Sequence, residues 1–396
     1  MRAPFDYLFR HALLRDAAYQ LQLPGDRARL HALAFAALEA LAGGRAPEPP
    51  PLESGRDDYR EHSSDRFARE LAGHARLARP PDAAAGPELD EMRASQKLYL
   101  RRAAEHAERH FLNDESRDLW QQFAALLEGA ARGESLRRAA AVANRAGEPR
   151  VAEALFSQAL EVFREAGCRR LEGIALGDLA IVNRVTGRVG PAGRCYEQAL
   201  AISRELHDRH LEGVTLSNLG ALFRAGGRIE EAASVLEQAL AIHRERGDRH
   251  FEGLTLLNLG GLHLGEDQRV RAEEEYKQAL VLYRALGDRR FEGVALGELA
   301  TLYVDTGRLD KAALAFEEAL SLHRETGHRR ALGAHLCNRS LLFIALRQID
   351  NARASWTQGS AILVEIGDTP ELENRRSEMR RACSDAGLPT LEEVSA

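Results

Sequence analysis

The sequence predicts an all-α solenoid of stacked helix pairs, and three observations carry that prediction. Sliding the chain by 40 residues lays it on itself: Leu176, Leu216, Leu256, Leu296 and Leu336 share one column, and Ala192, Ala232, Ala272, Ala312 and Ala352 another. Ala159, Ala199, Ala239, Ala279 and Ala319 form a third. A fixed period of this size marks a repeat array, in which each unit hides its apolar face on its neighbours. Inside one unit the apolar residues recur at helical spacing. Leu216, Leu219, Gly220 and Phe223 make one run, and Ile229, Ala232, Ala233, Leu236, Ala239 and Leu240 make the next. Gly226-Gly227 parts the two runs, and Gly247, Gly287 and Gly327 close second helices, where a left-handed residue satisfies the last carbonyls.

Taken in order, residues 1–42 read as helical, with Leu8, Ala12, Leu13 and Tyr19 in one run and Leu30, Leu33, Ala34, Leu38 and Leu41 in a second beyond Pro24-Gly25. Residues 43–90 are rich in Pro, Gly and charge, which predicts an exposed tether holding a short amphipathic helix at Phe67, Leu71, His74 and Leu77. Residues 91–130 look like a worn first unit, with Leu98, Leu100 and Ala103 on one helix and Trp120 and Phe123 on its partner. Six units in register fill 131–370. Small residues at Ala180, Gly220, Gly260, Ala300 and Ser340 face large ones at Tyr196, Leu236, Tyr276, Phe316 and Trp356, a ladder that belongs to the core. Residues 371–396 form a cap helix and tail. Thr369 is placed to N-cap and Pro370 to open the helix, with Leu372, Met379 and Cys383 inward and Arg375, Arg376, Arg380 and Arg381 outward. Residues 387–396 are expected to fray.

The run Leu216-x2-Leu219-Gly220-x2-Phe223, followed by Ala232-x3-Leu236 and Ala239, resembles the tetratricopeptide repeat. Leu stands where the family often has Trp, Arg244 replaces its closing Pro, and the 40-residue unit is similar to the extended subclass. The resemblance implies a right-handed superhelical solenoid of about seven helix-turn-helix units, with first helices lining a concave groove. The segment Phe9 to Tyr19, with Leu23-Pro24 and Arg27-x3-His31, resembles the helical region after the NTPase module of STAND-type bacterial signalling ATPases. No G-x-x-x-x-G-K-[ST] loop is present, so the ATP site such a module needs is missing from this sequence. That leaves two expectations: a sensor or regulatory arm whose partner is an NTPase region of the same system, or an independent scaffold or self-associating adaptor.

Fifty-four basic and 60 acidic residues give a net charge of −6, which lacks the basic field of a nucleic-acid binder. Cys168, Cys195, Cys337 and Cys383 show no paired spacing and read as thiols of a reducing, cytoplasmic compartment. No apolar run reaches signal-peptide or membrane length. His106 and His110 lie one turn apart but lack the Glu of a zinc-protease helix, and no Ser or Cys sits in a nucleophile elbow. No catalytic residue, metal or cofactor is expected. Between Leu216 and Leu219, the inward column holds Asp178, Asn218, Asn258, Glu298 and Asn338. An amide carries both donor and acceptor, so a ladder of Asn can pair with the backbone of an extended peptide, and in the family resembled an Asn here does that work. Gly177, Ser217 and Gly297 on one side, and Ala221, Gly261 and Thr301 on the other, leave room for that backbone; Leu257 and Ile181 break the rows. Arg137, Arg138, Arg145 and Arg184 mark one end of the groove and Glu298 and Asp305 the other, a grading that would orient a bipolar ligand.

Overall fold

The computed structural model describes residues 23–52, 59–80 and 86–392, and every regular element among them is helical. Two compact units divide at Cys168 and Arg169. In the first, α1 (Pro24–Leu41) is followed by a short 3-10 turn (Asp65–Phe67), α2 (Ala68–Leu77), α3 (Pro87–Arg109), α4 (Asn113–Ala124), α5 (Gly129–Arg145) and α6 (Pro149–Glu165). The stretch Phe9–Tyr19, on which the resemblance to signalling ATPases chiefly rests, lies outside the described residues.

The expected tether is pinned at points along an otherwise exposed path, with Pro47, Glu48 and Pro51 open to solvent. Ala46 and Leu52 are buried. Two arginines on the inner face of α3 hold the chain in place. Arg101 donates to the Pro50 carbonyl at 2.6 Å and pairs with Glu105 at 2.9 Å. Arg102 donates to both oxygens of Asp65, at 2.6 and 3.0 Å, and to the Arg60 carbonyl at 2.9 Å. Tyr99 donates to Glu39, and Arg45 to Ser95. A Pro-rich strand cannot satisfy its own carbonyls through a helix or sheet. Here the guanidinium groups satisfy them, which composition alone does not show.

In the second unit the period becomes geometry. First helices run α7 (Arg169–Val185), α9 (Arg209–Ala225), α11 (Arg249–Gly265), α13 (Arg289–Asp305) and α15 (Arg329–Ala345). Their partners are α8 (Val189–Glu205), α10 (Ile229–Arg246), α12 (Arg269–Leu286), α14 (Leu309–Glu325) and α16 (Ile349–Glu365). The last helix, α17 (Thr369–Asp385), keeps the same phase, so the cap is a further first helix. The small-to-large ladder is as expected: a Cβ on Gly220 would sit 2.5 Å from Leu236, and one on Gly260 2.4 Å from the Tyr276 ring. Those glycines exist because backbone and side chain touch.

Two polar columns fix the turns. The cation at the second position of each first helix reaches the residue that precedes the next one. Arg170 pairs with Asp208 at 2.8 Å, His210 with Asp248 at 3.0 Å, His250 with Asp288 at 3.1 Å and Arg330 with Asp368 at 2.5 Å. Asp208, Asp288 and Asp368 also N-cap their helices, accepting from Leu211, Phe291 and Glu371. The cap of α17 is therefore Asp368, not Thr369. A second column buries Glu172, Glu212, Glu252 and Glu292. Glu212 takes Arg204 and Arg209, Glu252 takes Arg244 and Arg249, and Glu292 takes Arg284 and Arg289. Burial alone would raise the Glu212 carboxyl, but its two arginines outweigh that and hold it below the usual range.

Two further expectations change at the C-terminus. Arg375 turns inward, bonding Glu371, Glu378 and Asn338. Residues 386–392 fold back, with Leu391 buried beside Met379 and Cys383, and Arg376 held by Glu392 at 2.7 Å. Elsewhere the turn residue is almost always Gly at positive φ, but His207 adopts φ 51° in a column that holds Gly247, Gly287 and Gly327. A non-Gly residue in that region carries about 1–2 kcal/mol of strain. His207→Gly is accordingly expected to stabilise the protein by about 1 kcal/mol, read as a rise in thermal midpoint; a fall would show that the imidazole makes up for its backbone.

Candidate functional site

The inner wall of the second unit is set by which residues of each first helix escape packing. Asp178, Asn218, Asn258 and Glu298 are half-buried and stand on one column, one per helix. Beside them Ile181, Ala221, Gly261 and Thr301 are also half-buried, forming the floor. The other expected row of small residues does something else. Ser217 is buried and bonds Thr255 at 2.7 Å, with His243 at 3.4 Å. Gly297 is small because the His335 ring lies on it: a Cβ there would meet the imidazole at 2.0 Å. Leu257 is buried too, and only Gly177 of this row is open.

Asn338 does not stand open. It is 3% exposed, donates to Thr301 at 3.0 Å and accepts from Arg375 at 2.9 Å. Helix α17 therefore closes the ladder after Glu298. Its own residue in the same column is Glu378, half-exposed and paired with Arg375 at 2.7 Å. Column arithmetic finds Glu378, forty residues after Asn338, once α17 is read as a first helix.

The expected charges separate by unit. Arg138 belongs to the first unit, where it covers the Trp120 ring at 5.1 Å and lies 3.6 Å from Glu134. Arg137 and Arg145 are likewise paired, with Glu134 and Glu108. Arg184 is in the second unit and faces the Tyr196 hydroxyl, whose pKa burial pushes up to about 12. Arg224, on the next first helix and exposed, faces Glu298 and the hydroxyl of Tyr276. That hydroxyl is buried and makes no hydrogen bond; it lies 3.7 Å from where a Gly261 side chain would begin. A buried hydroxyl without a partner costs about 1–3 kcal/mol, so one aimed beneath a glycine of the floor is a position that a ligand's polar group would satisfy. At the far end, burial raises the carboxyls of Asp305 and Glu378. Burial would raise Glu298 as well, but His335 outweighs it and holds that carboxyl below the usual range.

His335 is part of a three-histidine cluster that no other junction of the second unit shows among the described residues. Its Nδ1 lies 2.9 Å from His323 Nε2, and the His328 ring stands edge-on to His323 at 5.5 Å. His328 occupies the column of Asp208, Asp248, Asp288 and Asp368, so Arg290 faces an imidazole where its counterparts find a carboxylate. Burial first, then the neighbouring imidazoles and Arg290, push both His323 and His328 down to about 3 from the ordinary 6.5. The folded chain holds them neutral, whereas the unfolded chain binds protons below about pH 6.5. Their contribution is therefore complete above that pH and is lost as pH falls towards 3, by up to about 1.4 kcal/mol per pH unit for each proton. Denaturation midpoints between pH 7.5 and 4.5 should fall accordingly. His323→Phe, matching Phe163 in the same column, should flatten the slope; an unchanged slope would remove this assignment.

Among the described residues no three His, Cys, Asp or Glu gather as a metal site, and no helix is long and apolar enough to cross a membrane. The four cysteines are free thiols.

No curated protein matches the sequence. Among solved structures, a Rap protein complexed with Competence and Sporulation Factor has a TM-score of 0.56 at 12% identity, covering 91% of this chain and 99% of its own. The Rap conjugation gene regulator of plasmid pLS20, in complex with the Phr* peptide, has a TM-score of 0.53 at 11% identity, covering 85% and 89%. A signal transduction ATPase with numerous domains and a tetratricopeptide repeat sensor, from Pyrococcus horikoshii, has a TM-score of 0.51 at 15% identity, covering 98% of this chain and 63% of its own. At these identities the likeness is one of fold. The family model of the tetratricopeptide repeat matches residues 171–245 and 252–325. The wall that carries Asp178, Asn218, Asn258 and Glu298 is thus built from tetratricopeptide repeats, within an all-α repeat fold.

Proposed function

We propose that the second unit binds an extended segment of a partner protein along its inner wall, and that the chain works without catalysis as the sensor or regulatory arm of a bacterial signalling system. The observation that carries this reading is the column of half-buried Asn218 and Asn258 beside the floor of Ala221 and Gly261, with the unpartnered Tyr276 hydroxyl beneath. Each amide can accept from a backbone N–H and donate to a carbonyl, which suits a chain laid along the groove. Two structures of similar fold carry a signalling factor or a peptide by their descriptions, and a third is a repeat sensor on a signalling ATPase. These support a partner that is a peptide or protein, or an NTPase region of the same system.

The test is capture of partners from lysate by the full chain, identified by mass spectrometry, against the Asn218→Ala, Asn258→Ala double variant. Both side chains are half-buried and leave no core gap. Two lost hydrogen bonds at about 1 kcal/mol each predict an affinity loss of tenfold or more, on the order of 2 kcal/mol. Undiminished capture with unchanged helicity would overturn the proposal.

A further inference from the structure

The histidine cluster at the junction of α13, α14 and α15 reaches the groove through Glu298. His335 lies 3.7 Å from Glu298 Oε1 through Nε2 and 2.9 Å from His323 through Nδ1. His335 is 3% exposed and His323 is fully buried, while the Glu298 side chain keeps 37% of its surface in solvent. The ring cannot slide, because it fills the space over Gly297. Its column in the preceding first helices holds Ala175, Thr215, Thr255 and Ala295. In α17 it holds Arg375, which reaches Asn338 as His335 reaches Glu298. Among these helices, only here does an imidazole meet a carboxylate across that step.

The proton arrangement follows from the partners. If His335 Nδ1 carried the hydrogen, His323 would accept at Nε2 and leave an Nδ1–H buried without an acceptor, since that atom has none. His335 would also turn a lone pair towards a carboxylate. The reverse arrangement avoids both costs: His323 donates from Nε2 to His335 Nδ1, and His335 presents Nε2–H to Glu298. The imidazole pair then acts as a fixed dipole with its positive end on the carboxylate.

We propose that His335, braced by His323, is a positioning residue that holds Glu298 as the cation-selecting anion of the groove, and that the partner segment places an arginine or lysine side chain there. This rests on the groove reading above. Asp305 and Glu378 add negative charge at the same end, where Arg375, Arg224 and Arg269 are the neighbouring guanidinium groups, and the Tyr276 hydroxyl lies unpartnered within the field of Glu298 and Asp305. Arg184 stands towards the other end beside Asp178, while Arg224 lies between, within the field of Glu298 and the Tyr276 hydroxyl.

The test pans a random hexapeptide library on the full chain and compares each selected peptide with its citrulline or norleucine counterpart. Wild type is expected to prefer arginine or lysine at one position by about tenfold, the scale of one charge-assisted contact. Glu298→Gln, on the open wall, should abolish the preference. His335→Leu should weaken it, and His335→Gln, which keeps an acceptor and a donor, should restore it. Nitrogen-15 shifts of the unliganded protein should show Nε2–H on both His323 and His335, a readout independent of any variant's folding. Failure to select any peptide would remove the groove reading and this inference together. Selected peptides with no basic position, a preference that survives Glu298→Gln, or an Nδ1–H tautomer on His335 would remove this inference alone.

Discussion

Asp65→Ala is expected to lower the stability of the first unit by about 3–5 kcal/mol, the usual cost of stranding a buried charge by deleting its partner. The side chains of Arg102 and Asp65 are each 3% exposed. Removing the carboxylate leaves the guanidinium with the Arg60 carbonyl and the face of Tyr59, 5.3 Å away. Neither neutralises it. The Tyr59 hydroxyl loses its acceptor at the same moment. The lesion should appear first as hydrogen exchange and protease cutting across residues 59–77, since Asp65 is the anchor of that stretch. Arg102→Met added to Asp65→Ala should recover most of the loss, because an apolar pair of similar volume has no desolvation cost to meet. A loss below about 1 kcal/mol for Asp65→Ala would mean that the segment is held by its apolar contacts, Ala68 and Leu71, and that the ion pair is incidental.

Tyr276→Ala should cost a similar amount, about 3–5 kcal/mol, for a different reason. The ring is fully buried between α11 and α12 and lies on the bare backbone of Gly260. No side chain opposite can swing into the space, so the cavity persists. In a repeat array stability is close to a sum of unit and neighbour terms. Exchange should therefore quicken through α11, α12 and α13 while α15 and α16 stay protected. Uniform loss of protection would show that the second unit melts as one cooperative block.

Much of this was legible in the chain. The period gave helix phase to the residue from 169 onward, the Gly-to-large ladder gave the packing, and the inward column placed Asp178, Asn218, Asn258 and Glu298 on one wall. The parts that escaped share a physical cause: they depend on side chains that reach out of their own unit. Nothing in the sequence marks Arg101 and Arg102 as inward, yet the Pro-rich segment leans on them. Gly297 read as room for a ligand, although its missing side chain is filled by His335 from the next first helix. Asn338 read as open until Arg375 arrived from a helix taken for a polar cap. Column breaks do hold a signal for some of this. His328 among aspartates and His335 after Ala175, Thr215, Thr255 and Ala295 are visible in the bare alignment of units, and both fall at the three-histidine junction.

The regular closure of each turn has a consequence for engineering length. Since the cation of one unit meets the aspartate that opens the next at every joint but that of Arg290 and His328, most joints are interchangeable, like links cut from one die. Excising residues 209–248 would bring Asp208 against Arg249, so that Arg170 keeps its carboxylate and the chain closes over the cut. Reach and number of docking positions could then be dialled in whole steps, with the loss of the Ser217–Thr255 bond as the local cost of this cut.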